Sequence, residues 1–377
     1  MNNSNFDIII IGGGPAGSSA AMLLTKKGYS VALIEKKIFP REVLCGEFIS
    51  GEVIHFMEEN SLLTDFLNLK PNTVTSFRFT GSNGKEISSA LTFPAYSLKR
   101  SKLDHFLLLN ARDNGVCIFQ PAEVKALSEF NDGYSVPLLT SEGMSSISSK
   151  IIVAAYGKQN ILDRKLRRQF ASNTPMNGIK IHLNKNCLNN FPMHEIQIYS
   201  GSGIYCGLNA VDENTVTVCF LYNREKHKTT STGMLEKLAN ENPTFGSLIS
   251  DDFINQLDCN QVYGTGNIYF GTKELTDRGI FYVGDSAGVI APLAGDGIGM
   301  AVQSAQLLSD ILNRNNLDIT KSSLDYNREW RKQFSGRLRT AGSIQTLIMN
   351  KFVEQIGLNI LSNLPFLLPK LIKSTRG

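Results

Sequence analysis

Short apolar runs separated by glycines open the chain. Residues 6–11 (FDIIII) form a mostly β-branched run, which predicts a strand buried on both faces of a parallel sheet. Residues 18–27 carry the Ala and Leu content of a helix, and Gly28 is placed to end it. Residues 29–34 predict a second strand. A strand, a glycine-rich turn, a helix and a strand in this order predict one unit of a parallel α/β sheet.

Alternation with a period of two appears in the middle of the chain. The segments IKIHL, EIQIYS and VTVCFLY, all within residues 176–222, predict several strands of an antiparallel sheet. Before them, residues 97–115 (SLKRSKLDHFLLLNARDNG) predict a helix with an apolar stripe. The stripe consists of Leu103, Phe106, Leu107 and Ala111.

The last part of the chain returns to glycines and then becomes helical. Residues 280–305 (IFYVGDSAGVIAPLAGDGIGMAVQSA) predict an apolar strand, a second glycine-rich loop and the start of a helix. From about Ser322 the pattern is helical, and residues 343–373 are rich in Leu, Ile and Phe. Elements of a parallel sheet therefore lie at both ends of the chain with alternating strands between them, which predicts two domains interleaved in sequence.

Composition narrows the class of protein. The 377 residues are 42% hydrophobic, which is enough for a large core, and the net charge of +4 contains no long block of one sign. These values exclude a disordered chain, a collagen and a strongly basic protein that binds nucleic acid. Residues 1–14 lack the positive region of a signal peptide, and no apolar run approaches the roughly 18 to 20 residues that cross a bilayer. We therefore expect a cytoplasmic protein with no nucleic-acid partner.

The cysteines give no sign of a metal site. They have neither a C-x-x-C pair nor histidines at zinc-finger spacing, so we predict no metal and reduced thiols in a cytosol. The six residues are Cys45, Cys117, Cys187, Cys206, Cys219 and Cys259.

The first glycine-rich loop has the spacing of a dinucleotide site. It matches G-x-G-x-x-G and comprises Gly12, Gly14, Pro15, Ala16 and Gly17. The first glycine permits a tight turn, the second lets backbone N–H groups reach a pyrophosphate, and the third lets the helix pack closely on the strand. The helix N-terminus favours the phosphate charge. Glu35, which ends the second strand about 20 residues later, can accept both ribose hydroxyls of an adenosine.

This unit alone does not separate NAD from FAD, but the downstream loop does. With its Gly284-Asp285 pair, residues 280–305 resemble the glutathione-reductase-like FAD enzymes, in the branch of para-hydroxybenzoate hydroxylase and geranylgeranyl reductase. The resemblance implies that Asp285 holds the flavin ribityl chain. It also implies that residues 292–299 present helix N–H groups to the pyrimidine edge of the flavin, where negative charge forms on reduction. The contacts expected in this loop come from Pro292, Gly295, Gly297, Ile298 and Gly299.

Other segments extend the resemblance. Residues 39–50 (FPREVLCGEFIS) resemble the Pro-Arg-x-x-x-Cys-Gly segment of geranylgeranyl reductases, which implies FAD contacts from Arg41, Cys45 and Gly46. Residues 97–115 resemble the family's Arg-x-x-x-Asp-x-x-Leu helix, which implies a phosphate contact from Arg100. Further FAD contacts are expected from Lys36 and Val124.

Cys45 has two interpretations: a small buried filler, or a residue with a catalytic role beside the flavin. At residues 155–157 the family's Ala-Asp-Gly is replaced by Ala-Tyr-Gly, so the contact usually assigned to that acid has no equivalent at Tyr156.

The alternating strands are expected to cover the flavin and to bind the substrate. Residues 203–209 (GIYCGLN) lie where geranylgeranyl reductases carry Tyr-x-Trp-x-Phe-Pro, and only the tyrosine is retained. Tyr205, the second catalytic candidate, and Asn209 either face the substrate or pack one face of the sheet. The Trp-x-Trp-x-Ile-Pro motif of flavin-dependent halogenases is absent, since the only tryptophan is Trp330. His182 and His194 are interpreted as structural.

The fold expected from these features is α/β: a Rossmann-type FAD-binding domain interleaved with an antiparallel-sheet substrate domain, followed by a helical C-terminus. We assign residues 1–75, 97–170 and 262–320 to the FAD-binding domain. Residues 76–96 and 171–261 form the substrate domain, and residues 321–377 the C-terminal helices. Those helices either pack over the substrate domain or lie in a membrane interface, because Lys370, Lys373 and Arg376 flank their apolar residues.

The resemblance implies an FAD-dependent oxidoreductase that acts on a hydrophobic small molecule. A second complete Rossmann unit is not found, so NADH or NADPH is expected to bind transiently across the flavin as electron donor. The favoured activity is a monooxygenase that hydroxylates an aromatic or lipid-like molecule through a flavin C4a-hydroperoxide. The alternatives are reduction of a carbon–carbon double bond in a prenyl or other lipid, and a flavin-binding protein without turnover.

Overall fold

The computed structural model describes residues 5–130, 132–140, 143–166, 168, 175–250, 253, 262–364 and 366–376, so Cys259 lies outside the described residues. The strands are β1 (Ile8–Ile11), β2 (Val31–Ile34), β3 (Phe48–Ile49), β4 (Asn72–Thr73), β5 (Ser76–Thr80), β6 (Glu86–Ala90), β7 (Tyr96–Ser97), β8 (Cys117–Phe119), β9 (Ser128–Phe130), β10 (Gly133–Thr140), β11 (Gly143–Ser149), β12 (Ile151–Ala154), β13 (Met176–Asn184), β14 (Glu195–Gly201), β15 (Ile204–Ala210), β16 (Thr215–Asn223), β17 (Val262–Thr265), β18 (Gly271–Thr272), β19 (Thr276–Asp277), β20 (Ile280–Tyr282) and β21 (Gly288–Val289). The α-helices are α1 (Pro15–Lys26), α2 (Gly51–Glu59), α3 (Leu63–Asn68), α4 (Arg100–Asp113), α5 (Ile161–Lys165), α6 (Ser231–Glu241), α7 (Pro243–Leu248), α8 (Gly297–Arg314), α9 (Ile319–Ile348), α10 (Lys351–Asn363) and α11 (Leu367–Ser374). Short 3-10 helices span Lys185–Cys187, Gly284–Ser286 and Pro292–Ala294.

A six-stranded sheet in the order β19-β20-β12-β1-β2-β8 forms the first core. Its strands are parallel except for β19, which pairs antiparallel at the edge. All residues of β1, β2 and β12 are buried, as expected for strands covered by helices on both faces. The strand, helix and strand predicted for residues 6–34 are confirmed.

Helix α1 starts earlier than predicted because Pro15 occupies its first turn, where the missing N–H costs nothing. Gly17 is required in this helix: a Cβ there would lie 1.8 Å from the carbonyl oxygen of Gly12. The close approach of the helix to β1 therefore depends on glycine. Strand β2 begins later than predicted, at Val31. The N–H and hydroxyl of Ser30 donate to the Asp7 carboxylate, and its carbonyl oxygen accepts from the backbone N–H groups of Asp7 and Ile8.

The second core belongs to a seven-stranded sheet in the order β17-β13-β16-β15-β14-β5-β6. All of its neighbouring strands are antiparallel except β14 and β5. The residues between α3 and α4 add β5 and β6 to this sheet, so its strands come from two separate parts of the chain. Phe220, Phe245 and Phe253 are buried among the apolar residues that join this sheet to α6 and α7.

The C-terminal helices pack on both sheets. On α9, Tyr326 and Trp330 are completely buried, and the hydroxyl of Tyr326 donates to the carbonyl oxygen of Tyr282 in β20 at 2.8 Å. Helix α10 packs near the β5–β6 turn, where the Glu354 carboxylate accepts from the backbone N–H of Ser82 at 3.1 Å. Among the described helices, none combines the length and hydropathy needed to cross a membrane.

The expected fold class is confirmed: a Rossmann-type sheet, a largely antiparallel sheet interleaved with it, and a helical end. The domain boundaries given above remain a prediction.

Candidate active site

A cavity of about 850 Å³ is lined by residues from both sheets. Most of the residues expected to contact the cofactor or substrate lie in its wall. These are Gly12, Gly14, Pro15, Ala16, Glu35, Lys36, Arg41, Cys45, Gly46, Arg100, Val124, Tyr205, Asp285, Pro292, Gly295, Gly297 and Ile298.

At one end of the cavity, two backbone hydrogen bonds hold the Glu35 carboxylate in a fixed position, where it can accept further hydrogen bonds. Its side chain is buried, and its two oxygens accept from the backbone N–H groups of Gly13 and Lys37, each at 2.8 Å. These bonds fix the carboxylate at the end of β2 beside the N-terminus of α1. An ionised carboxylate has about four acceptor positions, so capacity remains for a ribose diol.

Two arginines share the carboxylate of Asp104, and one of them, Arg41, also lies 3.9 Å from the Glu35 carboxylate. Asp104 in α4 is completely buried and accepts from Arg41 at 3.1 Å and from Arg100 at 2.6 and 2.9 Å. Burial opposes the charge on Arg100, but Asp104 outweighs it and raises the pKa of the guanidinium. Cys45 acts on this pKa in the same direction as Asp104. The two arginines are thus balanced by two carboxylates, Asp104 and Glu35, until an anionic ligand binds beside them.

The downstream loop supplies the facing wall. Gly295 takes a φ of 63°, which lets the chain turn into α8 at Gly297. The carboxylate of Asp285 lies 3.9 Å from the Lys158 ammonium, and its side chain is 32% exposed. The N-termini of α1 and α8 therefore both border the cavity, and each favours negative charge there.

The shape of this wall fits a bound FAD. A Cβ added at Gly46 would meet no atom within 4 Å, and one at Gly14 would find only Arg41, at 3.9 Å. At Gly297 the nearest atom would be on Ile290 at 4.0 Å. Three glycines from distant parts of the chain thus leave open space around one cavity, with acceptors at one end and helix N-termini along it.

Three glycines expected in the FAD site do not line the cavity. Gly17 packs on Gly12, and a Cβ at Gly284 would lie 2.9 Å from that of Ala16. Gly299 faces the carboxylate of Asp296. The structure therefore places them where the helices approach the sheet and not in the cavity wall.

Tyr156, which replaces the family's usual acid, is part of a buried network. Its hydroxyl donates to Asp163 at 2.8 Å, and Arg168 bonds both Asp163 and Tyr156. Burial raises the pKa of this hydroxyl, and the positive charge of Arg168 only partly opposes the effect. A carboxylate therefore still lies beside this position, but it is that of Asp163 on α5.

A buried group of charges joins the Arg41–Glu47 loop to the seven-stranded sheet. Glu47 accepts from Lys180 at 2.9 Å, from His182 at 2.6 Å and from the Thr217 hydroxyl. Lys180 also donates to Glu42 at 2.6 Å. Burial raises the pKa of Glu47, but the His182 hydrogen bond, the Lys180 charge and Thr217 outweigh it and lower that pKa to about 2. Glu47 is therefore ionised at neutral pH.

The same group has the ligand types of a metal site. The ligand atoms of Glu42, Glu47 and His182 lie within 4.8 Å of one another. The ammonium of Lys180 already lies against both carboxylates and supplies the positive charge that a cation would bring. The arrangement is therefore satisfied without an ion.

The substrate end of the cavity is mostly apolar with one unpaired amide. Its wall includes Phe77, Ile196, Ile198, Leu221 and Ile268 from the second sheet and its connections. Asn209 on β15 also lines it, is 5% exposed, and its Nδ2 has no hydrogen-bond partner within the described part of the chain. Tyr205 on the same strand donates to Gln345 at 3.3 Å, and burial raises the pKa of its hydroxyl well above the usual value.

Sequence reasoning missed Glu42, Glu47 and Lys180 and treated His182 as isolated. One signal was available: Lys180 and His182 are two residues apart on a strand, so they face the same side. A lysine in the middle of a strand whose other face is apolar requires a counter-ion when it is buried. The segment that supplies the counter-ion lies more than 130 residues away, and only the fold reveals it.

Comparison with known proteins decides the family. The sequence profile described as FAD binding domain matches residues 5–334. The chain belongs to this FAD binding domain family. The match includes the G-x-G-x-x-G loop, Glu35 and Asp285, so this member of the FAD binding domain family is an FAD-dependent oxidoreductase.

Relatives of this FAD binding domain protein catalyse different reactions. A tryptophan 2-halogenase from Chondromyces crocatus is 27% identical over 330 residues, which are 81% of this chain and 60% of the halogenase. A digeranylgeranylglycerophospholipid reductase from Methanoculleus marisnigri is 26% identical over 351 residues, 88% of this chain and 83% of the reductase. The structure of a geranylgeranyl bacteriochlorophyll reductase-like protein from Thermoplasma acidophilum has a TM-score of 0.79 at 20% identity, covering 96% of this chain and 92% of its own. The last likeness shows the fold alone.

Proposed function

We propose that the protein is an NAD(P)H-dependent monooxygenase that hydroxylates an aromatic or lipid-like small molecule. The proposal rests on the side chains that β15 presents to the cavity. Where the reductase-like pattern has Trp and Phe, this chain has Gly207 and Asn209, and both line the cavity. Two aromatic side chains are thus replaced by a glycine and by an amide whose buried Nδ2 has no hydrogen-bond partner in the described part of the chain.

The amide favours a substrate that carries a hydrogen-bond acceptor. A buried donor without a partner costs about 1–3 kcal/mol, so a ligand that pairs Asn209 Nδ2 gains that amount over one that does not. A phenol or a carbonyl next to a ring can accept from it, whereas a plain prenyl chain cannot. Phe77 and Ile198 in the same wall suit the apolar body of such a molecule.

The remaining residues of the site have separate tasks in this proposal. FAD, when bound, supplies two-electron redox chemistry and, once reduced by NADH or NADPH, the activation of oxygen. Glu35 holds the ribose, Arg41 and Arg100 face the phosphates, and Asp285 binds the ribityl chain. Backbone N–H groups at the start of α8 stabilise negative charge on the flavin ring. The apolar wall excludes water, and Asn209 orients the ring that receives one oxygen atom while the other leaves as water.

Cys45 and Tyr205 remain the catalytic candidates, and the geometry gives each a specific role to test. Cys45 lines the cavity, and its sulfur accepts from the backbone N–H of Glu47 at 3.3 Å. Tyr205 lines the cavity and donates its hydroxyl to Gln345 at 3.3 Å. We propose that both shape the site and that neither transfers a proton.

A second candidate is reduction of a carbon–carbon double bond. It is favoured by the digeranylgeranylglycerophospholipid reductase, which this chain matches over 83% of that enzyme's length, and by the apolar substrate wall. Halogenation has less support, since Trp-x-Trp-x-Ile-Pro is absent. The only tryptophan, Trp330, is completely buried on α9 against Phe334 and does not line the cavity.

Oxygen dependence separates the two candidates. We would supply the FAD-loaded protein with NADH or NADPH and with 4-alkylphenols of increasing chain length, or with geranylgeraniol. A monooxygenase consumes oxygen in step with product and incorporates one atom of labelled O₂ into the phenol. Reduction of geranylgeraniol under nitrogen would contradict the proposal.

Asn209→Leu provides the matched variant. It is expected to retain reduction by the nicotinamide donor but to lower the yield of product per donor oxidised by about tenfold, with the loss appearing as hydrogen peroxide. Asn223→Leu, at the end of β16, is the control and should change neither quantity. Equal yields for wild type and Asn209→Leu would remove the orienting role of the amide.

A further inference from the structure

Exposed apolar side chains are concentrated in one part of the C-terminal helices. Of the ten large apolar side chains that are exposed in the described part of the chain, six lie between residues 347 and 366. They are Leu347, Phe352, Ile356, Ile360, Leu364 and Phe366. The other four, Ile38, Leu67, Ile161 and Leu324, are scattered over the sequence. Single exposed apolar residues are ordinary, but a continuous set is not.

The orientation of α10 is fixed by its buried side. Leu358 is 3% exposed, and Glu354 bonds the backbone N–H and the hydroxyl of Ser82, each at 3.1 Å. Phe352, Ile356 and Ile360 are spaced by four residues, so they share the opposite face of the helix. Phe352 is 73% exposed. The face is therefore held outward by specific buried contacts.

The exposed charges that these helices themselves carry have one sign. Lys351, Lys370 and Lys373 are exposed, and none takes part in an ion pair within the described residues. The only acid between residues 347 and 376 is Glu354, which is buried and hydrogen-bonded. An apolar face bordered by cations is the pattern of a segment that lies in the interface of an anionic bilayer.

Helix α11 connects this surface with the cavity. Ile372 in the helix, with Thr375 and Arg376 directly after it, lines the cavity, while Lys370 and Lys373 on the helix are exposed. The guanidinium of Arg376 packs on the ring of Phe93, with its central carbon 4.7 Å from the ring centre. If the exposed face lies in a bilayer, only helix α11 separates the lipid from the cavity.

We infer that residues 347–364 and 366–373 form a docking surface for an anionic lipid bilayer, with Phe352, Ile356 and Ile360 inserted below the headgroups and the three lysines among them. A second copy of the chain fits this surface less well. In a two-fold dimer the same patch meets itself, so the lysines would face lysines without an exposed acid between them. The inference goes beyond the proposed function, because binding to vesicles is measured without turnover.

Co-sedimentation of the FAD-loaded protein with vesicles tests the surface. The probes are vesicles of phosphatidylcholine alone and vesicles with one part in four of phosphatidylglycerol. Wild type should bind the anionic vesicles and bind them less at high salt. Phe352→Ser/Ile356→Ser/Ile360→Ser should lower the partition coefficient by roughly tenfold or more. Lys351→Gln/Lys370→Gln/Lys373→Gln should lower it on anionic vesicles by on the order of a hundredfold.

A matched control removes three exposed apolar residues elsewhere: Leu67→Ser/Ile161→Ser/Leu324→Ser should bind like wild type. FAD absorbance and the thermal midpoint verify folding, and Phe352→Ser alone serves if the triple variant does not fold. Absence of sedimentation for wild type would overturn the inference, as would equal loss in the control. A wild-type dimer that the Phe352 triple variant converts to a monomer, without vesicle binding, would assign the surface to a second copy instead.

Discussion

Glu47 allows the sharpest test of the energetics. Its carboxylate is completely buried, and each oxygen has more than one donor. Oε1 accepts from Lys180 and from the backbone N–H of Arg100 at 2.8 Å, and Oε2 accepts from His182 and Thr217. Glu47→Gln keeps the shape of the side chain, but it removes the charge and places an amide NH₂ among donors.

The lowered pKa of Glu47 gives the size of the stability loss expected for Glu47→Gln. Interactions with His182, Lys180 and Thr217 outweigh burial and lower it from 4.5 to about 2. At 1.36 kcal/mol per pH unit, this difference corresponds to about 3 kcal/mol of folding free energy at neutral pH. Breaking a buried ion pair on one side costs about 3–5 kcal/mol in other proteins, which agrees. We expect Glu47→Gln to lose about 3 kcal/mol at pH 7.

The pH dependence has a definite sign. A carboxylate whose pKa is lowered by folding stabilises the protein fully above its unfolded pKa and loses that effect as the pH falls through the folded value. The difference in stability between wild type and Glu47→Gln should therefore be constant from pH 7 to about 5. It should shrink between about 4.5 and 2.

Urea unfolding of the FAD-loaded protein in excess FAD, followed by circular dichroism, measures both quantities. The control is Glu86→Gln, whose partner Arg78 lies at 2.7 Å with both side chains more than one third exposed. Exposed pairs contribute about 0–1 kcal/mol, so this variant should stay close to wild type. In a cycle with Lys180→Met, the two losses should not add. A Glu47→Gln variant within 1 kcal/mol of wild type at pH 7 would refute the reasoning.

Single residues give three further predictions. Asp285→Ala should weaken FAD binding roughly tenfold or more with little change in apoprotein stability, measured by equilibrium dialysis and thermal unfolding; stoichiometric flavin after dialysis would contradict it. Gly17→Ala should lose about 2 kcal/mol or more in urea unfolding, because its Cβ would lie 1.8 Å from the Gly12 oxygen, and an unchanged midpoint would show that α1 shifts freely. Trp330→Ala should lose about 3–5 kcal/mol, because the indole is completely buried against Phe334; a loss below 1 kcal/mol would mean that the site collapses.

Features encoded by neighbouring residues could be predicted from the sequence. The β1–α1–β2 unit depends on the isoleucine run, on Gly12 and Gly17 and on Glu35, all within 30 residues, so local sequence alone predicts the order of its elements. Its ends differ by a few residues because Pro15 extends the helix and Ser30 pairs with Asp7. The strands of the second sheet are likewise indicated by their alternation.

Contacts between distant segments could not be predicted in this way. Glu47 and Lys180 meet only because the seven-stranded sheet packs over the Arg41–Glu47 loop, and neither stands out in its own segment. The two faces of α10 show the same limit. Its apolar residues are equally consistent with packing and with a membrane, and the buried Glu354 is what turns Phe352 outward.

The Glu47 group has a consequence for exchanging parts between relatives. Strands β13 and β16 carry Lys180, His182 and Thr217, so they are tied to the loop that carries Glu47. A chimaera that imports these two strands without the loop would bury charges that have no counter-ion. Strand β15 instead presents Tyr205, Gly207 and Asn209 to the cavity without an ion pair to Glu47. Grafting β15 alone should therefore change part of the cavity wall and leave the Glu47 group intact, whereas β13, β16 and the loop must be exchanged together.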